Sequence, residues 1–152
     1  MSELSRRFLV SAALFMAAGI GIGLWLLLAR ELLGQWPARH QVSVHAHLIL
    51  VGAVLQTILG TALWLFPRPP RSQRPRREVA GELAWWAITL GTAVRAAAEF
   101  HRAEGPDWLR GAIVAGGIAQ ALGLVCGLLA LRHRIRPAAV RSAPEDARAP
   151  SS

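Results

Sequence analysis

Three stretches of this chain run long without a charge. Phe8 to Ala29 covers 22 residues, Gln41 to Pro67 covers 27 and Gly111 to Leu131 covers 21. About 20 apolar helical residues cross a bilayer, so each stretch is long enough. A fourth, Leu83 to Arg102, is interrupted only by Arg95 and Glu99 before its final arginine. The pattern predicts transmembrane helices over about 7–30, 43–66, 82–102 and 110–132. These segments are apolar on all sides, whereas a helix at the surface of a soluble bundle keeps one polar face. Short connections make neighbours antiparallel. The expected fold is all-α: an integral membrane four-helix up-down bundle over residues 1–136. The tail, 137–152, is rich in Pro, Ala, Ser and charge, and is expected to be disordered.

Charge orients this bundle. The net charge is +8, and all 17 basic residues are arginine. Arg6 and Arg7 precede the first run. Arg68, Arg71, Arg74, Arg76 and Arg77 lie between the second and third, and Arg132, Arg134, Arg136, Arg141 and Arg148 follow the fourth. The remaining loops hold only Arg30, Arg39, Arg102 and Arg110. Arginine excess marks the cytoplasmic side, so both termini are expected there, in a multi-pass protein of a bacterial inner membrane. The arginine clusters flank hydrophobic spans and lack interleaved aromatics. Their counter-charge is membrane lipid headgroups rather than nucleic acid. Trp25, Trp36 and Trp108 fall near the outer boundary and Trp64, Trp85 and Trp86 near the inner one, as indoles prefer. "SRRFLVSAA" is similar to a twin-arginine export signal, but its apolar run is long and no A-x-A site follows. It is read as an uncleaved first helix.

Small residues four apart let helices approach closely in lipid. "GIGIG" at 19–23, Gly116/Gly117 and Gly123/Gly127 fit that use, and a homo-oligomer built on glycine faces is one expectation. The single cysteine, Cys126, is read as a small packing residue.

Two histidines open the second run, in "HAHLILVG" at 45–52. On a helix they stand about 200° apart. His45 shares its face with Ile49, Gly52, Gln56 and Gly60, which are mostly small or polar. His47 shares its face with Val51, Val54, Ile58 and Leu65. His45 is therefore expected to look inward, with the glycines leaving room for a flat macrocycle such as haem, a group imidazole commonly ligates. His47 is expected to look toward lipid, a neighbouring helix or the headgroup boundary. His40, His101, Arg95 and Glu99 are expected at the same outer end. Ionisable groups inside spans usually have a partner or a task. Arg95 is placed to pair with Glu99 four residues on, or with a haem propionate. His40, His45, His47 and Glu99 form the alternative set of ligands, for copper or zinc.

The segment "HAHLILVGAVLQTILGTALWLFPR" resembles the second helix of the central subunit of haem-copper oxidases and nitric-oxide reductases. It is more similar still to small four-helix membrane proteins related to that subunit. The matching positions are His45, Ala46, His47, Leu48, Leu50, Gly52, Gly60, Leu65, Pro67 and Arg68. The resemblance covers about 24 residues of one helix, and Ile49 replaces the family's usual asparagine. It implies that His45 is an axial ligand of haem b near the outer face, with His101, His40 or a neighbouring copy supplying the other. The fourth run has no histidine, so an oxygen-reducing binuclear centre is not expected. No hydrolase or transferase constellation is present either. Three roles are expected: a haem-b protein of electron transfer, haem handling or sensing; a copper or zinc protein; and a structural or assembly subunit of a respiratory complex.

Overall fold

The computed structural model describes residues 2–66, 74–103 and 105–132. They form four helical rods: α1 (Glu3–Leu33), α2 (Arg39–Leu65), α3 (Arg74–Phe100) and α4 (Trp108–Leu131). Each starts before its predicted bound, by two residues in α4 and eight in α3. The added first turns of α1, α2 and α3 are polar in sequence and lie outside the hydrophobic pattern that set the expectation. The arginine-rich connection up to residue 73 and the tail lie outside the described residues, so the expected disorder of 137–152 is not addressed.

Local chemistry sets the ends. Ser2 caps α1, its side chain accepting from the Ser5 amide at 3.2 Å. Gly34 closes that helix in the left-handed region, at φ 64°, and its amide donates to the Ala29 carbonyl. That conformation costs a residue with a Cβ but not glycine. Phe66 leaves α2 in an extended conformation at ψ 142°, which the following Pro67 enforces by clashing with a helical predecessor.

α2 is α-helical over Arg39–His47, π-helical over Leu48–Leu55 and α-helical again over Gln56–Leu65. Val44, Leu48, Gly52, Gln56 and Gly60 are all buried at a strict four-residue spacing. In an α-helix each four-residue step drifts by about 40°. The wider i→i+5 turn takes up that drift and holds the row on one face.

Opposite ends of successive helices meet. Gly60 lies against Phe8, Gly52 against Phe15, and Gly23 against His45. Leu48 packs with Ala96, and Thr89 reaches Gln56. Gly91 meets Gly116, and Gly123 meets Ile88. The largest apolar cluster joins Phe8, Leu59, Leu63, Ala84, Ile88 and Leu131.

Helices α1, α2 and α4 are long and apolar enough to cross a membrane. α3, which carries Glu82, Arg95 and Glu99, does not meet that measure, so the fourth expected crossing stands apart from the other three. Only 22% of the most apolar window of α1 and of α4 is buried, and 33% of that of α2. Leu14, Ile20, Ile58, Leu65, Val114 and Leu122 face outward. So much exposed aliphatic surface requires an apolar solvent.

Candidate functional site

The α1–α2 interface is where sequence placed the chemistry. His45 is half-buried against α1, and its Nδ1–H donates to the Gly19 carbonyl at 2.8 Å. A carbonyl only accepts, so Nδ1 carries a proton in this contact. The ring lies directly over Gly23, where a Cβ would come within 2.6 Å of Cε1. The inward orientation expected for His45 is therefore observed, and glycine on the opposing helix makes it possible.

The space expected beside His45 is filled. Phe15 occupies the notch at Gly52, where an added Cβ would stand 2.7 Å from its ring. Phe8 does the same at Gly60, and Ile49 lies over Gly19. The glycines are present on the predicted face, but α1 side chains have taken the room they leave. The same contacts use Gly19 and Gly23 within the chain, as α3 uses Gly116 and Gly123. Gly21 alone of "GIGIG" has open space beside it.

The other predicted residues do not gather around His45. His47 turns to its own helix, Nδ1 donating to the Ser43 carbonyl at 2.9 Å. Its face leads outward as expected, with Val54, Ile58 and Leu65 exposed. His40 sits half-buried in the first turn of α2, and His101 is exposed beyond α3, its ring edge-on to Phe100 at 5.5 Å. Arg95 pairs within α3, its Nε donating to Glu99 Oε1 at 3.2 Å. Glu99 Oε2 is buried with no hydrogen-bond partner among the described residues. No group of three or more His, Cys, Asp or Glu that could hold a metal occurs among the described residues.

Sequence reasoning missed a polar seam through the core. Ser11 on α1 bonds to the Oε1 of Gln56, which is fully buried on α2. Trp85 Nε1 donates to Ser11 Oγ at 3.2 Å, and Thr89 Oγ1 reaches Gln56 Oε1 at 3.4 Å. Further along, Gln120 Nε2 donates to Thr92 Oγ1 at 3.1 Å, tying α4 to α3. Trp85, expected in an interfacial belt, thus turns inward, while Trp86 stays exposed. The signal was available: isolated polar residues within lipid-length apolar runs seek one another across helices. Gln56 Nε2 is buried with no hydrogen-bond partner among the described residues.

As a haem site, the donor and the space disagree. An imidazole pinned through Nδ1 to a carbonyl presents, in its neutral form, Nε2 as a metal ligand. Among the described residues, side chains of α1 fill the notches at Gly52 and Gly60 beside the His45 row, where a macrocycle would need room. The residues as arranged do not fit an internal haem. No family model matches the chain, and neither a curated protein nor a solved structure is significantly similar to it.

Proposed function

We propose that this protein is a non-catalytic, multi-pass subunit of a bacterial inner membrane. In this reading it is an up-down bundle with both termini cytoplasmic, and α3 completes the fourth crossing. Its task is structural or assembly work alongside other membrane proteins, and the resemblance of its second helix points to a respiratory complex. The observation that carries this reading is the filled interior. Every glycine notch along the His45 row is closed by a side chain of α1, while aliphatic residues cover the outside. A bundle that spends its interior on its own packing acts through its surface. α3 suits a crossing as well, because Leu83, Trp86, Leu90 and Val94 are exposed along it and Arg95 and Glu99 are paired.

One observation favours a second reading, haem b at His45: the Nδ1–H bond to Gly19, which in the neutral ring presents Nε2 as a metal ligand. In that reading the ring supplies one axial ligand, and a porphyrin needs α1 and α2 to part near Phe15. The same residue is the starting point for copper or zinc.

A single preparation separates these readings. The full chain is purified from membranes grown with haem precursor, then scanned for a Soret band and analysed for metals. The structural reading expects no Soret band and less than a tenth of an equivalent of metal. A stoichiometric Soret band that disappears in His45→Ala overturns it in favour of haem. Stoichiometric copper or zinc without that band overturns it in favour of the metal reading. Reporter fusions at the two termini and in the 101–107 turn check orientation; a periplasmic N-terminus would sink the proposed topology.

A further inference from the structure

The bundle has a second feature that the polar seam does not account for. A cleft of about 430 Å³ opens on its side between α1 and α3, near the N-terminus. Its lining changes character along α1. Glu3, Arg6 and Arg7 stand at the rim, and Val10 and Leu14, both largely exposed, form the wall. Ser11, Trp85 and Thr89 form the floor. Along α1 the charged residues come first and Val10, Ser11 and Leu14 follow, so the lining passes from charged groups to a mixture of hydroxyl and aliphatic groups, as a phospholipid passes from its headgroup to its glycerol esters and acyl chains.

We infer that this cleft binds one phospholipid whose headgroup is zwitterionic with a primary amine, a phosphatidylethanolamine. The charge pattern selects it. Arg6 bonds to Glu3 at 2.9 and 3.0 Å, and Arg7 bonds to Glu82 at 3.1 Å. The rim therefore carries two guanidinium groups and the Glu3 carboxylate, with the Glu82 carboxylate paired to Arg7 beside it. An anionic headgroup must compete with both carboxylates for the arginines and gives nothing back to them. A zwitterion exchanges partners instead, its phosphate taking the guanidinium forks and its ammonium taking Glu3 or Glu82. All four groups are solvent-exposed, and exposed ion pairs are weak enough to exchange. A quaternary ammonium has no N–H for the carboxylates. The aromatic face it would prefer is also taken, because the Arg7 guanidinium lies 5.7 Å from the Trp85 ring centre.

Depth agrees with the charge. Ser11 lies one helical turn, about 6 Å, below Arg7, at the level of the glycerol esters of a lipid whose phosphate sits at the rim. Thr89 reaches Gln56 only at 3.4 Å, so its hydroxyl is free to turn to an ester carbonyl. A volume of this size lies within the range of small-molecule sites, ~300–1,000 Å³. It suits a headgroup and the start of one chain, the rest lying along Val10 and Leu14.

Native mass spectrometry of the full chain, released from detergent after titration with defined lipids, tests this. One phosphatidylethanolamine is expected to stay bound per protomer, at least fivefold more than phosphatidylglycerol or phosphatidylcholine of the same chains. Val10→Trp plugs the wall from an exposed position and is expected to cut that adduct at least fivefold. Arg7→Gln paired with Glu82→Gln is expected to erase the headgroup preference while the helical circular dichroism is unchanged. Equal retention of the three lipids, a preference for phosphatidylglycerol, or an adduct untouched by Val10→Trp each overturns the inference. None of these results depends on whether His45 holds a cofactor.

Discussion

The two helical hairpins reach close packing by different routes. In α1–α2, glycine on one helix receives a side chain from the other: His45 lies over Gly23, Phe15 over Gly52 and Phe8 over Gly60. In α3–α4, backbone meets backbone. A Cβ on Gly91 would stand 2.8 Å from the Gly116 carbonyl oxygen, and one on Gly116 would stand 2.8 Å from the Gly91 carbonyl oxygen. The His45 ring over Gly23 can rotate away from an intruder, whereas the atoms at Gly52 and Gly60 include the Cβ of Phe15 and of Phe8, which move only with the backbone. A carbonyl held in a helix cannot turn aside either. The first interface is therefore adaptable at His45, and the second sets the register of its pair.

The largest expected effect lies at the α3–α4 contact, where the Arg95–Glu99 pair runs beside Gly116 and Gly117. Glu99 is buried, its side chain 8% exposed, and Arg95 Nε is the partner the structure gives its carboxylate. Arg95→Leu strips that partner and leaves a buried acid alone. Breaking a buried pair from one side costs about 3–5 kcal/mol. Because Arg95 retains 22% exposure, about 3 kcal/mol is expected in reversible unfolding from mixed micelles. Arg95→Leu with Glu99→Leu should regain most of it. A double variant as unstable as the single one would mean that the charge itself is not what matters.

Gly116→Leu comes next, at about 2–3 kcal/mol, the upper range for overpacking where the neighbour is rigid. Gly21→Leu is its control, because nothing lies within 4 Å of the Cβ it would add, and its melting temperature should stay within a degree or two of wild type. Equal losses at the two sites would contradict the backbone contact. Gly23→Ala belongs to the adaptable interface. Its methyl would meet the His45 ring at 2.6 Å, and the ring can swing aside, so about 1 kcal/mol is expected. The readout specific to this contact is nitrogen NMR of the imidazole. Nδ1 should lose its hydrogen-bonded signature when Gly19 is no longer reached; an unchanged spectrum would place the ring elsewhere.

The same contrast explains how much of the molecule was legible beforehand. Helical periodicity placed His45, Ile49, Gly52, Gln56 and Gly60 on one inward face, and contacts to α1 lie along it. The π-helical turn was not legible, because Leu48–Leu55 is uniformly apolar apart from Gly52 and carries no breaker. Its effect was to bring Val44 and Leu48 into one buried row with Gly52, Gln56 and Gly60. The fate of the glycine notches was also hidden. A sequence shows that a face is small, and only the opposing helix shows whether a ligand or Phe15 fills it. Arg95 was readable because its partner lies four residues away on the same helix. Ser11 and Thr89 meet Gln56, and Trp85 meets Ser11, across 33 to 74 positions of chain, and no local pattern encodes that meeting.

The smallest expected effect tests the polar seam that crosses from the adaptable hairpin to α3. Gln56 is fully buried, with Nε2 unpaired among the described residues and Oε1 taking Ser11 and, at longer range, Thr89. Replacing it with leucine removes one satisfied acceptor and one unsatisfied donor together. Ser11 has another use for its single proton, since the Arg7 and Phe8 carbonyls lie 2.9 and 3.1 Å away, and Trp85 can still donate to its oxygen. Hydrogen bonds between membrane helices average only about 0.6 kcal/mol, and a buried unpaired amide costs about 1–3 kcal/mol. These opposing terms leave Gln56→Leu neutral within about 0.5 kcal/mol or slightly stabilising. A loss above 2 kcal/mol in the same micelle titration would show that the Gln56 amide has a donor interaction that its neighbours on α1 and α3 do not provide.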